Sequence, residues 1–103
     1  MSFCESFVTT RPEQLAATAS NLSDIGSAVT AANAAAAAPT TGVMPAAADE
    51  VSALTAAQFA AHARMYRVAS TQASAVHELF VTTLGVSADS YALTESANAS
   101  AVG

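Results

Sequence analysis

Large side chains recur every three or four residues between Ala46 and Leu84, a stretch without proline or glycine. This spacing predicts one long amphipathic helix with two neighbouring rows, about 100° apart. The first row is Val51, Leu54, Gln58, Ala61, Met65, Val68, Gln72, Ala75 and Leu79. The second row is Phe59, His62, Tyr66, Ala69, Ala73, Val76 and Phe80. Together they form an apolar arc wider than one antiparallel helix covers. We therefore expect the first row to face a helix of this chain and the second to face another protein.

A shorter helix is predicted before it, over about residues 11–38. Thr10 and Glu13 match a capping box, and Pro12 falls in the first turn, where proline is tolerated. The apolar stripe of this helix is Leu15, Thr18, Leu22, Ile25, Val29, Ala32 and Ala36. Gly26, within it, is expected either to weaken the helix or to let another backbone approach closely.

Two prolines and a glycine within residues 39–45 predict a turn that stops the first helix at Pro39. A connection this short makes the flanking helices antiparallel neighbours. The second helix is predicted over about 46–84, with Asp49 and Glu50 complementing the helix dipole at its start and Gly85 just past its end.

The two predicted helices differ in length, about 40 Å against about 58 Å at the usual rise per residue. Folded back, the first would cover the second only to about residue 72. Val76, Leu79, Phe80 and Val81 would then be exposed, which is costly for a soluble monomer. The fold class predicted is therefore all-α, an antiparallel hairpin over residues 1–86 that forms half of a four-helix bundle.

Composition supports the need for a partner. Of 103 residues, more than a quarter are alanine, 6% are aromatic and none is tryptophan. Alanine favours helix but buries little area, so a monomer would have a thin core. The N-terminal arm, residues 1–9, is expected to be extended, with Phe3, Phe7 and Val8 as hydrophobic anchors.

Charge and segment composition exclude several classes of function. The net charge is −5, with three arginines and no lysine, which argues against nucleic acid or an anionic membrane surface as partner. Cys4 is the single cysteine, so no internal disulfide is expected. No Sec signal peptide is recognised, and the apolar run Ala34–Ala38 is too short to cross a bilayer.

Catalytic and metal-binding patterns are poor. His62 and His77 lie fifteen residues apart on one helix, over about 20 Å, and cannot share a metal ion. No nucleophile elbow or phosphate-binding glycine loop accompanies the serines. We expect no cofactor, no metal and no enzyme activity, with His62 at an interface and His77, beside Glu78, on the exposed surface.

Small and polar residues dominate residues 87–103, which are expected to form a flexible tail. This tail, the Pro12-Glu13 pair and the Met1-Ser2-Phe3 start together resemble features of a known protein family. The whole chain resembles the PE family of mycobacterial proteins, named for such a Pro-Glu pair. Tyr91-Ala-Leu-Thr-Glu95 is similar to the Y-x-x-x-D/E export motif that the family carries just beyond its helical hairpin. Cys4-Glu5-Ser6 departs from the more apolar run expected there.

The resemblance implies a specific function. PE proteins pair lengthwise with a PPE protein as a heterodimeric four-helix bundle, which a type VII (ESX) secretion system exports after cytosolic assembly. An EspG chaperone grips the PPE subunit. Carried over, Tyr91 and Glu95 would be the secretion motif, and the protein would be secreted or on the cell surface. The residues expected at the partner interface are Phe59, His62, Tyr66, Val76, Leu79 and Phe80.

A second interpretation satisfies the same apolar arc. An intracellular scaffold could self-associate as an antiparallel four-helix bundle without another gene product. Co-expression with a helical partner distinguishes the two, because a scaffold would form a homodimer indifferent to that partner.

Overall fold

A computed structural model describes residues 8–102 of the chain, and within this range the regular structure is entirely helical. The element α1 spans Pro12–Thr41, the element α2 spans Glu50–Val102, and residues 42–49 connect them. The predicted all-α fold and the antiparallel hairpin are confirmed. Most of the predicted N-terminal arm, including Phe3, Cys4 and Phe7, lies outside the described residues.

α1 begins one residue later than the capping box predicts. Pro12 is its first helical residue, so Arg11 occupies the N-cap position, and the Arg11 carbonyl accepts from the backbone N–H groups of Gln14 and Leu15 at 3.0 and 3.2 Å. Proline suits this place because its missing N–H would have no partner inside the helix. Thr10 is therefore outside α1, and its hydrogen-bonding groups are used elsewhere.

The prediction that Pro39 stops the first helix is wrong, because α1 continues to Thr41 with Pro39 inside its last turn. Proline removes one backbone donor there. The threonine hydroxyls that follow supply others: Thr40 donates to the Ala36 carbonyl at 2.6 Å and Thr41 to the Ala37 carbonyl at 2.7 Å. The Gly42 N–H donates to the Ala38 carbonyl at 2.9 Å. These bonds provide donors for the carbonyls of residues 36–38 at the end of the helix.

α2 begins at Glu50 rather than near residue 46, because Asp49 acts as its N-cap. The Asp49 carboxylate accepts from the Ser52 N–H at 2.8 Å and from the Ser52 hydroxyl at 3.3 Å, and its carbonyl accepts from the Ala53 N–H at 3.0 Å. Aspartate is a favoured cap since its side chain satisfies a free N–H of the first turn.

The predicted end of the second helix is also wrong. α2 passes through Gly85, which does not adopt a positive φ, and continues to Val102. Residues 87–102, which were predicted to belong to a flexible tail, are therefore helical in the structure. A glycine inside a helix costs only about 1 kcal/mol relative to alanine. Partly buried Leu84 and buried Ala88, on either side of it, offset that cost.

The hairpin divides into two compact units. The turn unit is Ile25–His77, which holds the end of α1, the connection and the start of α2. The terminal unit is Met1–Asp24 with Glu78–Gly103, of which residues 8–24 and 78–102 are described. In each unit, the α1 segment pairs with the α2 segment in antiparallel fashion.

In the turn unit, small side chains form the seam between the helices. The α2 residues shielded from solvent recur at three, four or seven residues, and they are Ser52, Ala56, Ala60, Ala63, Ser70, Ser74 and His77. Those of α1 are Gly26, Asn33, Ala37 and Thr41. Val51, Leu54, Met65 and Val68 of the predicted first row are exposed instead, so the expectation that this row faces α1 is wrong. Small residues at a helix–helix contact permit a short interaxial distance, which large residues would prevent.

In the terminal unit, the seam contains larger residues. Leu15, Ala19 and Leu22 are the shielded α1 residues after Pro12, and those of α2 include Val81, Leu84 and Ala88. Of the predicted α1 stripe, Leu15 and Leu22 are thus correctly placed here. Ile25 and Val29 of that stripe, in the turn unit, are exposed, because the shielded positions shift by one residue to Ala19 and Gly26.

The prediction that the first helix covers the second only to about residue 72 is wrong as well. In the turn unit, Tyr66 pairs with Asn33, which lies eight residues before the end of α1, although Tyr66 lies sixteen residues after the start of α2. The connection is therefore not a tight turn. In a tight turn, paired residues would lie equally far from it along the two helices, so α1 contacts later residues of α2 than that arrangement predicts. His77 lies against Gly26 in that unit, and Glu95 binds Thr10 in the terminal unit.

The buried core is very small. Among the described residues, the buried apolar side chains are all alanine: Ala19, Ala56, Ala60 and Ala88. The chain exposes 7711 Å², whereas a folded monomer of this mass exposes about 5,300 Å². Over residues 8–102, neither helix has a stretch apolar enough to cross a membrane.

Candidate functional site

The six residues predicted for a partner interface are all exposed. Phe59, His62, Tyr66 and Val76 belong to the turn unit, with Phe59 62% exposed. Leu79, 67% exposed, and Phe80 belong to the terminal unit. Large apolar side chains at this exposure leave apolar area in water that association would remove. Their exposure arises because the small-residue seam, and not the large rows, faces α1.

A shallow open groove joins the two large rows near the start of α2. It is lined by Leu54, Thr55, Gln58, Phe59 and His62. Leu54 comes from the first row and Phe59 from the second, so the groove runs between rows on the side of α2 away from the seam. The exposed apolar surface of the turn unit is therefore continuous around α2 and includes the row that was expected to be covered.

Tyr66 makes a hydrogen bond within the chain. Its hydroxyl donates to the side-chain oxygen of Asn33 on α1 at 3.0 Å, while the ring stays 55% exposed. A tyrosine with its polar end held and its ring exposed presents apolar area in a fixed orientation. This arrangement is compatible with a place in an interface and adds a cross-helix contact that the sequence pattern does not show.

Tyr91 and Glu95 lie one turn apart on α2, so their side chains share a face. Tyr91 is exposed and Glu95 is partly buried. One carboxylate oxygen of Glu95 accepts two hydrogen bonds from Thr10, from its backbone N–H and from its hydroxyl, each at 2.9 Å. The backbone N–H, and then the hydroxyl, lower the pKa of the Glu95 carboxyl below its ordinary value. Both donors favour the ionised form because they bind the charge directly.

The Pro-Glu pair lies at the start of α1. Pro12 is partly buried as the first helical residue, and Glu13 is exposed in the first turn, where a carboxylate interacts favourably with the helix dipole. The pair therefore has a local structural explanation. Thr10, two residues earlier, connects this end of α1 with the segment of α2 that carries Tyr91 and Glu95.

His77 is not on the open surface as predicted. It is partly buried against Gly26, and a Cβ atom added at Gly26 would lie 2.8 Å from the Cδ2 and Nε2 atoms of the His77 ring. Gly26 thus admits a close approach, as expected, but of an imidazole rather than of a backbone. In the described part of the chain, no three His, Cys, Asp or Glu side chains are grouped to hold a metal ion.

Two features were missed by sequence reasoning. The small-residue seam has the same three- and four-residue spacing as the large rows, and a search for periodic alanine and serine would have found it. The Thr10–Glu95 contact joins residues 85 positions apart. Only the antiparallel pairing of the helices predicts such proximity.

These observations define a small all-α hairpin protein with an alanine core and an extensive apolar surface. Comparison with known proteins then identifies the family: residues 8–98 match the model of the PE family, and the chain belongs to this family. It is 65% identical over 96 residues to PE family protein PE13 of Mycobacterium tuberculosis, covering 93% of this chain and 97% of that protein.

Other relatives are longer than this chain. PE family protein PE8 of Mycobacterium tuberculosis is 56% identical over 96 residues, which are 93% of this chain and 35% of that protein. Esterase PE16 of the same organism is 52% identical over 97 residues, 94% of this chain and 18% of the esterase. The hairpin described here thus corresponds to a fraction of these larger proteins.

Proposed function

We propose that the chain is a non-catalytic PE subunit that pairs with a PPE protein in a helical heterodimer, which a type VII (ESX) secretion system exports. One observation carries the pairing: the core of the described residues is alanine, while the large apolar side chains of α2 face solvent. A partner that contributes two helices would complete a four-helix bundle and bury these side chains.

The area of the chain favours an obligate partner. The excess of the 7711 Å² over a typical monomer of this mass, about 2,400 Å², is larger than the roughly 800 Å² that a standard stable interface buries on each partner. Phe59, His62, Tyr66 and Val76 in the turn unit, with Leu79 and Phe80 in the terminal unit, are the residues we place in the interface. The exposed first row extends the surface available to the partner.

Export is supported by the Tyr91–Glu95 pair. In α2, the phenol and the carboxylate occupy one helix face, as a motif with four-residue spacing requires if it is read as a unit. We propose that the pair is the secretion motif, that an EspG chaperone binds the PPE subunit before export, and that the heterodimer reaches the cell surface or the medium after cytosolic assembly.

We propose no catalytic role and no cofactor for this chain. Most of the esterase relative lies outside the aligned segment, and we place its named activity there. The groove lined by Leu54, Phe59 and His62 is shallow and open, unlike the deep pockets that enzymes use for small substrates.

Co-expression with a PPE protein tests the pairing. Wild-type chain is expected to co-purify with it as a heterodimer, and Phe59→Asp or Leu79→Asp to abolish the complex, because each buries an unpaired charge. Thr71→Asp is the matched control, since Thr71 is exposed on α2 outside both rows. A soluble, monodisperse, well-folded monomer of the isolated wild-type chain would contradict the proposal. A stable homodimer indifferent to the PPE protein would instead favour the intracellular scaffold.

Export is tested separately. Tyr91→Ala is expected to block secretion of the pair by mycobacteria while the heterodimer still assembles in the cytosol. Immunoblots of culture filtrate and cell lysate measure both outcomes. Unchanged secretion of the Tyr91→Ala protein would remove the motif assignment and leave the pairing untouched.

A further inference from the structure

The Thr10–Glu95 contact gives the two motif residues different environments. Glu95 is held from within the chain by two donors of Thr10, whereas Tyr91 is exposed. An export receptor would therefore meet the phenol directly but would find one carboxylate oxygen already accepting two hydrogen bonds. The remaining question is what the occupied carboxylate does.

We infer that Thr10 and Glu95 are positioning residues, which fasten the end of α2 to the start of α1 and thereby present Tyr91 in a fixed, helical setting. This inference rests on the proposed role of Tyr91 in export. It assigns Glu95 a role inside the chain rather than a contact with the export machinery, and it adds Thr10 to the residues on which the signal depends.

Burial along the end of α2 supports this role. Among described residues 89–102, Glu95 is the one side chain that is partly buried rather than exposed. The preceding buried residue is Ala88, 2% exposed. Beyond Ala88 the segment consists mainly of alanine, serine and other small or polar residues, and the last turns of a helix fray readily when few tertiary contacts hold them.

The chemistry of the contact is suited to fastening. A carboxylate that accepts from an N–H and from a hydroxyl forms charge-assisted hydrogen bonds, which are stronger than those between neutral groups. The backbone N–H of Thr10 is free to donate because Thr10 precedes α1 and takes no part in its hydrogen-bond ladder. The lowered pKa of the Glu95 carboxyl is the expected accompaniment of this geometry.

Thr10→Val tests the inference, because valine has nearly the shape of threonine but no hydroxyl. Hydrogen exchange of the full chain, in the complex that it forms with a co-expressed PPE protein, is measured by mass spectrometry. Amides within 89–102 are expected to exchange roughly 3- to 10-fold faster than in wild type. Thr10→Ser, which keeps both donors, is expected to exchange as wild type does. Unchanged exchange in Thr10→Val would overturn the inference.

Export separates positioning from direct recognition of the charge. Glu95→Gln keeps an oxygen acceptor for Thr10 but removes the charge, while Glu95→Ala removes both. Positioning predicts that Glu95→Gln is exported better than Glu95→Ala and that Thr10→Val reduces export several-fold, with Thr10→Ser restoring it. Equal loss in Glu95→Gln and Glu95→Ala, with normal export of Thr10→Val, would show that the charge itself is read and would overturn the inference.

The two proposals fail in different ways. Normal export of Tyr91→Ala would remove the motif assignment, but the exchange experiment would still decide whether Thr10 fastens the end of α2. Faster exchange in Thr10→Val together with unchanged export would retain the contact as a structural fastening and overturn its role in presenting the signal.

Discussion

The two units of the hairpin hold α1 against α2 through different kinds of contact. The turn unit joins α1 to α2 through alanine, serine and glycine, with a histidine ring seated against Gly26 and a hydrogen bond between Tyr66 and Asn33. The terminal unit uses leucine and valine in its seam and adds the Thr10–Glu95 contact. The turn unit thus depends on the close approach of the two helices. The terminal unit depends on larger side chains and on the hydrogen bonds between Thr10 and Glu95.

The difference explains how the large side chains of α2 stay exposed although the two helices are in contact. A seam of small residues buries little area, so it stabilises the turn unit weakly by itself. It leaves Phe59 and its neighbours exposed, and in the proposed heterodimer the partner would bury them. The terminal unit has larger apolar side chains in its seam, such as Leu15, Leu22 and Leu84, and in the proposed heterodimer it would depend less on the partner for its local order. The following predictions are to be measured on the chain within the heterodimer proposed above.

Enlarging a seam alanine should have the greatest effect on stability. Ala60→Leu in the turn unit should cost about 3 kcal/mol, because overpacking a close contact separates the helices. Ala88→Leu in the terminal unit should cost about 1–2 kcal/mol, since larger neighbours there can rearrange. Thermal and denaturant unfolding followed by circular dichroism measure both changes. Ala57→Leu, at an exposed position of α2, is the control; equal costs at Ala60 and Ala88 would remove the distinction between the seams.

Gly26→Ala tests the contact between the His77 ring and Gly26 in the turn unit. The new Cβ would lie 2.8 Å from two atoms of the His77 ring, so the ring must move, at a net cost of about 1 kcal/mol after the helix propensity gained by alanine. In a His77→Ala background, the same change should stabilise the protein by about 0.5–1 kcal/mol. A double-mutant cycle measures this change of sign. A Gly26→Ala effect on stability that is independent of residue 77 would contradict the contact between His77 and Gly26.

Gly85→Ala is the counterpart in the terminal unit. A Cβ added at Gly85 meets nothing within 4 Å, and its φ is not positive. Alanine should therefore stabilise α2 by about 0.5–1 kcal/mol through helix propensity alone. The unfolding midpoint measures the gain. A loss of stability would mean that α2 is interrupted near Gly85, as the sequence pattern first indicated.

Lowering the pH should speed hydrogen exchange in the terminal unit through protonation of Glu95. The folded-state pKa of this carboxyl is lowered, so its contribution to stability is fully present above the ordinary glutamate value of about 4.3 and is lost as the pH falls through the lowered pKa. Hydrogen exchange of amides in 89–102 should accelerate across that range. In Glu95→Gln this acceleration should be absent; an identical pH dependence in both proteins would assign it to another group.

Sequence reasoning predicted the fold class and the antiparallel hairpin correctly, because helical periodicity, Pro12 and the breaker residues are local signals. It placed three helix ends wrongly. Each end depends on particular hydrogen bonds, such as those of Asp49 and Thr41, or on packing beside Gly85, and these override the usual effect of proline or glycine.

The exposure of the candidate site was predicted, whereas its place in an interface stays a prediction. Helical spacing alone identified Phe59, Val76 and Phe80 as one row, and these residues are exposed in the structure. The same reasoning assumed that the largest apolar row packs against α1, although the alanine and serine row is the one that does. Periodicity shows which residues share a face, but the choice among faces depends on how closely two backbones approach.

The sequence by itself determined two long helices, a shortage of core and a tyrosine four residues before an acid, since all of these follow from composition and spacing. The tertiary structure decided which faces meet, where His77 is seated and that Glu95 binds Thr10. Those features depend on the register between the helices, which the connection of residues 42–49 and the small-residue seam fix together. Contacts between residues so distant along the chain have no signature in local spacing.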